Sequence, residues 1–499
     1  MASFIDSRAA VWLVLLCVAL PMRLVWVGDD FIREHAWNEG HYACATRNLS
    51  RYGLLDQRDD MGRDRTFSPF VPILLWPTAR LSGWKPWGFR APLVVSGLLT
   101  LGLFHALMRR RWGVEARTAW LALLLASTAS GIFYFSRNVQ LDGVATALLL
   151  GALWGVGHDS RRARALGWIC WACCPLAKTT FLLYTPIIIL AAAERDGLSP
   201  LRRRAWLKAL LPAALGTLPI AMWLTYCFLD RPAMIAGFLT RTNVWTRANL
   251  AAALRMTPII LYRQLTPPII LFGLLGLIPF LRGRVIAWRR MAVPLYLAGS
   301  WVIFIFTHPR PYIANQYYTY PALYLACLLG AGGLAWVWAP AARRLARGGV
   351  MRPALAVAGL ALITALGVRA TVRHYGFVAI DPAIIAEGLG KKPDALPPRL
   401  FSAYGVDVFK EARLLAARAP RGGKILVDYP STMFYAGGDP ARVDCSYGGV
   451  AGMFDPRVHK GVLVSCVLTS ESAKRTEDLV RRLRGLGWKQ ISPRAWIAP

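Results

Sequence analysis

A polar stretch at residues 36–53 carries an acid, Glu39, directly after the first apolar segment of the chain. At helical spacing Glu39 and Tyr42 fall on one face, which predicts an amphipathic helix lying on a membrane surface. A carboxylate held there can take a proton from an acceptor hydroxyl. The alternative is a solvated loop acid, or an ion pair with a nearby arginine such as Arg33. Further candidates in this stretch, for catalysis or for contact with a sugar or acceptor, are Asn38, His41 and Tyr42.

A second acid, Asp142, follows a very short turn that also contains Arg137. Placing an ionisable group in the middle of a membrane costs about 2.5–3.5 kcal/mol, so such residues are retained for a reason or lie at the interface. Asp142 is therefore a second candidate base and Arg137 a candidate phosphate ligand. The alternative is an Arg137–Asp142 clamp that fixes the turn. Glu39 and Asp142 are also the carboxylates that a divalent metal would use, although two carboxylates make a sparse site.

Lys178 stands between two apolar runs with no other charge nearby. A lone buried ammonium needs an anion, and a lipid phosphate would supply one; the alternative is a lysine that extends from a loop to the interface. Arg63 and Arg65 precede an apolar segment that contains several prolines. These arginines either bind the same phosphate or lie at the interface.

Aromatic residues, one histidine and one arginine cluster between positions 307 and 321. Tyrosines are normal at membrane interfaces, so their position alone does not identify a site. Together with the histidine and the arginine they predict the lining of a sugar-phosphate pocket. The residues concerned are His308, Arg310, Tyr317, Tyr318 and Tyr320.

The composition places these residues in a membrane protein. Of the 499 residues 56% are hydrophobic and only 17% are charged, and the mean hydropathy is +0.39. The net charge of +32 comes in short basic bursts between apolar runs, for example at 109–111 and 202–204. This is the pattern of cytoplasmic loops, whereas a nucleic-acid-binding surface would gather its charge on one domain. We therefore expect no nucleic-acid partner.

The apolar runs predict an α-helical polytopic domain over residues 1–370 with about eleven transmembrane helices. The predicted spans lie near 9–27, 90–108, 117–135, 143–157, 165–177, 179–194, 209–228, 267–281, 291–306, 317–339 and 353–370. With the basic bursts in the cytoplasm, the N-terminus is cytoplasmic. The chain after residue 371 and four active-site loops are then on the outer side: 28–89, 136–142, 229–266 and 307–316.

Residues 371–499 differ from the rest and predict a small extracytoplasmic α/β domain. Lys424–Tyr429 and Gly461–Leu468 have the pattern of strands, and Glu477–Leu486 that of a helix. Cys445 and Cys466 both fall in this region. In an oxidising compartment they either form a disulfide or remain free thiols.

Over residues 9–330 the chain resembles the GT-C glycosyltransferases, in particular the branch of the protein O-mannosyltransferases and the lipid A aminoarabinose transferase. The order of several short motifs carries this resemblance: Trp37-Asn-Glu-Gly-His-Tyr-Ala, Ala45-Thr-Arg-Asn-Leu-Ser-Arg-Tyr-Gly, Ser68-Pro69, Phe89-Arg90-Ala-Pro, Tyr134-Phe-Ser-Arg-Asn-Val-Gln-Leu-Asp, Leu176-Ala-Lys178 and Tyr318-Thr-Tyr-Pro. It implies a polyprenyl-phosphate-linked sugar donor and inversion at the anomeric carbon.

Two departures from the family pattern affect the candidate roles. The family's first loop usually carries an Asp-Glu pair, whose Asp is the usual candidate base, whereas this chain has Asn38-Glu39. Because Asn cannot accept the proton, either Glu39 or Asp142 takes that role. The family's basic residue before the proline-containing segment has no plain match, which leaves Arg63 or Arg65 as substitutes. Lys178 does match the family's phosphate-binding lysine.

The sequence thus predicts a glycosyltransferase of the bacterial inner (plasma) membrane, with its C-terminal domain periplasmic or extracellular. Its partners would be membrane lipid, a polyprenyl-phosphate sugar and a hydroxyl acceptor on a lipid, glycan or exported protein. The alternatives are a transporter or flippase for a lipid-linked sugar, and a non-catalytic scaffold. Against the transporter, the polar residues gather on one side and no inverted repeat is visible.

Overall fold

The structure is a computed structural model that describes most of the first 371 residues and short pieces beyond them. The described residues are 8–25, 27–28, 36–54, 68–195, 203–230, 245–287, 290–309, 312, 316–344, 351–371, 417, 425–427, 443–445, 463–465, 481, 483–485, 487, 489–492 and 495–497. Three candidate site residues lie outside them: Arg63, Arg65 and Arg310.

Helices dominate the described residues before position 372. In chain order they are α1 (Arg8–Val14), a π-helix (Leu15–Ala19), α2 (Leu20–Leu24), α3 (Ala36–Tyr52), α4 (Phe70–Leu81), α5 (Pro86–Arg110), α6 (Ala116–Thr128), α7 (Ser130–Phe135), α8 (Leu141–Val156), α9 (Arg161–Ala177), a 3₁₀ helix (Thr179–Tyr184), α10 (Thr185–Arg195), α11 (Arg203–Asp230), α12 (Arg247–Gln264), α13 (Pro267–Leu281), α14 (Ala292–Thr307), a second 3₁₀ helix (Gln316–Thr319), α15 (Tyr320–Arg344) and α16 (Met351–Thr371).

Each of the eleven predicted apolar segments overlaps one of these helices. By length and composition, three described stretches are sufficient to cross a membrane: Pro86–Arg110, Leu207–Asp230 and Tyr320–Trp338. A fourth is obtained if α12 and α13, which meet at a bend of 113°, act as one span. Five other apolar helices are shorter. The count of eleven therefore stays a prediction.

The chain divides into two compact units. The first contains Met1–Trp26, Leu93–Arg137 and Leu141–Gly376. The second contains Val27–Pro92, Asn138–Gln140 and Phe377–Pro499.

In the first unit, α8 and α9 pack against each other as a hairpin. The helices have 16 and 17 residues, so at about 1.5 Å per residue they have nearly equal lengths. Gly155 and Gly167 allow close approach, because a Cβ on either would overlap the backbone of the other helix. The start of α8 and the end of α9 therefore meet at the same end of the hairpin.

Helices α13 and α15 make a similar close contact in the same unit. Gly276 lies against the Leu329 carbonyl, and Gly333 lies against the Phe272 carbonyl. Small residues at such crossings let helix backbones approach, which is how helices associate where lipid removes the hydrophobic driving force. This contact fixes α15, whose first residue is the candidate Tyr320.

The described part of the C-terminal region contains five strands: β1 (Ile425–Val427), β2 (Val443–Cys445), β3 (Leu463–Ser465), β4 (Lys489–Ser492) and β5 (Ala495–Ile497). They form one sheet in the order β2-β1-β3-β5-β4. Strand β1 is parallel to β2 and β3, and β5 is antiparallel to β3 and β4. Two predicted strands are confirmed as β1 and β3. Cys466 and most of the predicted helix at Glu477–Leu486 lie outside the described residues.

Candidate functional site

Lys178 and Asp142 form a buried ion pair in the first unit. Lys178 Nζ lies 2.6 Å from Asp142 Oδ1, and the two side chains are 9% and 4% exposed. The expected anion for Lys178 is thus supplied by the protein itself. Because a buried pair is strongly destabilised when one partner is removed, each of these charges depends on the other.

The backbone around each residue explains why the pair forms. Asp142 lies in the first turn of α8, where the helix dipole favours a negative charge. Lys178 follows the last residue of α9 in an extended conformation, φ −153° and ψ 114°, and the 3₁₀ helix begins directly after it. The interruption between two helices places a lysine where its ammonium reaches the start of α8.

The Lys178 ammonium also lies over an aromatic ring. Its Nζ is 4.2 Å from the centroid of Tyr318, a distance at which the ring face attracts a cation. Tyr318 stacks in turn on Phe304, with ring centroids 4.1 Å apart. One candidate tyrosine is therefore in direct contact with the candidate phosphate ligand.

A small cavity opens beside this pair, with Asp142 in its wall. Most of its wall is aromatic or apolar; the polar groups are the Asp142 carboxylate and the hydroxyls of two aliphatic and two tyrosine side chains. A cavity with a few convergent polar groups in an apolar wall is the usual form of a small-molecule site. Its lining residues are Asp142, Thr180, Phe181, Leu183, Tyr184, Ser300, Phe304, Tyr318 and Pro321.

His308 extends the aromatic stack beyond the cavity. Its ring lies 5.0 Å from that of Phe304 at an interplanar angle of 12°, and its Nδ1 is 2.8 Å from Thr307 Oγ1. Partial burial lowers the pKa of the His308 imidazole from its ordinary value of 6.5. The imidazole is therefore neutral at neutral pH, so it offers hydrogen bonds but no charge to a ligand.

In the second unit Glu39 is held by Arg90. The Arg90 Nε donates to Glu39 Oε1 and its Nη2 to Glu39 Oε2, both at 2.8 Å, and both side chains are 1% exposed. The Val139 N–H also donates to Glu39 Oε1 at 3.1 Å. Both carboxylate oxygens are engaged in this bidentate pair. This pair replaces the solvated loop acid considered from the sequence.

The Arg137–Asp142 clamp is wrong. Arg137 is fully buried in the first unit and its Nη1 donates to the Val25 carbonyl at 3.0 Å, while its guanidinium lies over the Phe133 ring at 5.3 Å. Asp142 pairs with Lys178 instead. The two side chains thus have different partners: Arg137 contacts Val25 and Phe133, and Asp142 contacts Lys178.

The remaining candidates are buried or nearly so. Asn38 and His41 are 4% and 5% exposed on α3, and the His41 ring lies edge-on to Tyr42. Tyr320 is fully buried in the first unit, where its hydroxyl accepts from Tyr324 at 3.0 Å. The side chain of Tyr317 lies outside the described residues.

Sequence reasoning gave no role to several residues that the structure brings into play. Arg90 stood in a family-like motif, but nothing in the motif identified its partner. Arg23 was visible as a lone arginine inside the first apolar run, a signal that an intramembrane charge has a function. Four cavity residues have no signal beyond ordinary apolar or hydroxyl character: Thr180, Phe181, Tyr184 and Ser300.

The two candidate metal ligands each have a cationic partner, Arg90 for Glu39 and Lys178 for Asp142. Within the described ranges no three residues of the His, Cys, Asp or Glu type are grouped as a metal site would require. Calcium takes six or more oxygen ligands, and magnesium requires a nearly octahedral set of oxygen ligands. Two carboxylates that are each already paired with a cation do not provide either arrangement.

No family model and no curated protein matches this chain. Solved structures do. ArnT from Cupriavidus metallidurans bound to undecaprenyl phosphate superimposes with a TM-score of 0.61 at 16% identity, covering 98% of both chains. The same protein in the apo state gives a TM-score of 0.57 at 18% identity, again over 98% of both chains.

A third similar structure is an Archaeoglobus fulgidus oligosaccharyltransferase tethered to an acceptor peptide. It gives a TM-score of 0.52 at 12% identity and covers 96% of this chain and 69% of its own. Both proteins are GT-C glycosyltransferases. At these identities the likeness establishes the fold: this chain has a GT-C fold built from apolar helices.

Proposed function

We propose that this chain is an integral membrane glycosyltransferase that transfers a sugar from a polyprenyl-phosphate-linked donor to a hydroxyl acceptor. The observation that carries the proposal is the buried Lys178–Asp142 pair beside an aromatic cavity in a GT-C fold. A structural ion pair would not need a cavity at its side. The undecaprenyl phosphate bound to the structurally similar ArnT supports the donor class.

In the proposed reaction the donor phosphate lies against Lys178 and the sugar lies in the cavity. An ammonium has three N–H donors, so Lys178 can hold the phosphate without leaving Asp142 completely. As the acceptor oxygen bonds to the anomeric carbon, the bond from that carbon to the phosphate oxygen breaks, and the phosphate departs with the electron pair. Lys178 offsets the charge that develops on it.

Asp142 is the proposed base. It takes the acceptor proton as the new glycosidic bond forms, and direct displacement inverts the anomeric carbon. Before the donor arrives, Lys178 neutralises Asp142; the phosphate competes for Lys178 and so makes the carboxylate available. This coupling favours proton removal only when the donor is in place.

Glu39 has a positioning role in this proposal. Its pair with Arg90 fixes α3 to the start of α5 and its bond from the Val139 N–H fixes the turn that precedes Asp142 in the chain. The rings of Tyr184, Phe304 and Tyr318 give the sugar an apolar wall, as rings do for the C–H faces of ligands in such cavities. Arg137, and Arg63 or Arg65, are further candidate phosphate ligands.

We further propose eleven spans, a cytoplasmic N-terminus, and an extracytoplasmic α/β domain formed by residues 371–499, in a bacterial inner (plasma) membrane. The basic bursts between apolar runs support this orientation. The acceptor is a hydroxyl on a lipid, a glycan or an exported protein.

The test is sugar transfer by the purified protein in detergent with a panel of polyprenyl-phosphate sugars. We expect release of polyprenyl phosphate from at least one donor, and its loss in Asp142→Asn and Lys178→Ala. Lys208→Ala, on the exposed face of α11, is the matched control and should retain activity. No turnover with any donor, together with lipid movement across vesicles, would replace the transferase with a transporter.

A further inference from the structure

Arg23 is a fully buried arginine in α2 of the first unit. The segment around it is apolar, and a π-helix (Leu15–Ala19) and Pro21 interrupt the regular helix directly before it. Insertions of this kind recur at functional sites. The reaction proposed above makes no use of this residue.

One edge of the Arg23 guanidinium has no partner in the described part of the chain. Its Nη1 donates to the Ala19 carbonyl at 3.1 Å, but Nε and Nη2 meet no hydrogen-bond acceptor among the described residues. An arginine is effectively always charged, and a buried charge without a counter-ion costs several kcal/mol. Within the described ranges no acid forms an ion pair with it, so the folded protein bears this cost without an evident structural return.

Arg90 shows what such an edge holds when it is occupied. Its Nη1 also donates to a backbone carbonyl, that of Val27 at 3.2 Å, and its Nε and Nη2 hold the two oxygens of Glu39. Arg23 has the same division of its donors, with the backbone contact present. The free edge of Arg23 is thus shaped for two oxygens of one oxyanion.

The surroundings of Arg23 connect it to the cavity. Tyr320 and Tyr324 are the phenols that interact with it electrostatically, and the Tyr324 hydroxyl donates to that of Tyr320 at 3.0 Å. Tyr320 also interacts electrostatically with Asp142, and the next residue, Pro321, lines the cavity. Tyr320 is thus a shared electrostatic neighbour of Arg23 and of the proposed base Asp142.

We propose that the Nε–Nη2 edge of Arg23 is a bidentate binding site for a phosphate group, namely that of the lipid-linked donor and of the polyprenyl phosphate product. The inference rests on the proposed function for the source of the phosphate. Arg23 supplements Lys178: the lysine acts as a point charge, and the planar guanidinium fixes the orientation of two phosphate oxygens. A phosphate bound at this edge supplies the missing counter-ion, and therefore removes the free-energy cost of burying the Arg23 charge.

The experiment is thermal unfolding of the purified full-length protein in detergent, with and without polyprenyl phosphate. Arg23→Met removes an unpaired charge, so without ligand it should unfold at or above the wild-type temperature. Arg90→Met is the matched control and should unfold at a lower temperature, because it leaves Glu39 buried without a counter-ion. Polyprenyl phosphate should stabilise wild type, whereas Arg23→Met and Arg23→Lys should bind it about 10-fold or more weakly.

Two further ligands identify the source of the phosphate. Polyprenol, which lacks the phosphate, should not distinguish wild type from Arg23→Met. If inorganic phosphate alone gives the Arg23-dependent stabilisation, the phosphate site stands and its ligand is free phosphate. If Arg23→Met destabilises the protein as Arg90→Met does, or binds polyprenyl phosphate like wild type, Arg23 is structural and the inference is overturned.

Sugar transfer measured on the same preparations separates this inference from the proposed function. Arg23-dependent binding of polyprenyl phosphate without transfer from any donor would sink the transferase and leave the phosphate site. If wild type transfers sugar and both Arg23 variants bind polyprenyl phosphate as wild type does, the transferase stands and the Arg23 phosphate site is overturned.

Discussion

The two buried ion pairs, Lys178–Asp142 and Arg90–Glu39, should differ in how turnover responds when both charges of a pair are removed. Asp142→Asn leaves the Lys178 ammonium, 9% exposed, without its counter-ion. Breaking a buried pair in this way costs about 3–5 kcal/mol of stability. If Asp142 is the base, the same change also lowers turnover by about 10²- to 10⁴-fold.

The double variant Asp142→Asn/Lys178→Met separates the two effects. It removes both charges, so most of the lost stability should return, while turnover should stay low because neither the base nor the phosphate ligand is present. The assays are thermal unfolding and release of polyprenyl phosphate on the same preparations. Recovery of turnover together with stability would refute the catalytic role of the pair.

The Glu39–Arg90 pair is the internal comparison. Glu39→Gln leaves Arg90 buried without a carboxylate and should lower both stability and turnover, the latter only through displacement of the turn that precedes Asp142 in the chain. In Glu39→Gln/Arg90→Gln both charges are absent, and stability and turnover should recover together. A stable double variant without turnover would identify Glu39 as the base and overturn the assignment made here.

Three further outcomes are expected. Tyr318→Leu removes the ring beneath Lys178 and should raise the KM for the donor by about 2- to 30-fold, whereas Tyr318→Phe should change it little, as steady-state kinetics would reveal. Gly276→Val places a side chain on the Leu329 carbonyl and should lower stability by about 1–3 kcal/mol or more in denaturant unfolding, with Gly299→Ala, which meets open space, as control. Because the pKa of His308 is lowered in the folded protein, the unfolded chain takes up the proton of this imidazole at a higher pH than the folded chain does. Wild type should therefore lose more stability than His308→Gln as the pH falls from 7 to 5. Equal losses in a series of thermal unfolding measurements at these pH values would contradict this.

The sequence by itself determined the membrane class and the approximate position of most helices, although α4 and α12 lie within the predicted loops 28–89 and 229–266. Long apolar runs have few alternatives to a helix in lipid, because every backbone N–H and C=O must be satisfied within the segment. It also singled out Lys178, since an isolated charge between apolar runs is costly wherever it lies. Strands β1 and β3 were predictable for a similar local reason, as short runs of branched apolar residues.

Only the tertiary structure decided the partners of the charged residues. Lys178 and Asp142 are 36 positions apart, and Arg90 and Glu39 are 51 apart. No local periodicity relates residues at such separations, so the only ion pairs that the sequence analysis offered, as alternatives, were with nearby residues: Arg137 for Asp142 and Arg33 for Glu39. Helix packing chose otherwise: the equal lengths of α8 and α9 bring Lys178 to Asp142, and the arrangement of α3 and α5 brings Arg90 to Glu39. The unengaged edge of Arg23 is likewise a property of packing, because its burial, and the absence of an acid partner among the residues that the structure describes, depend on residues far along the chain.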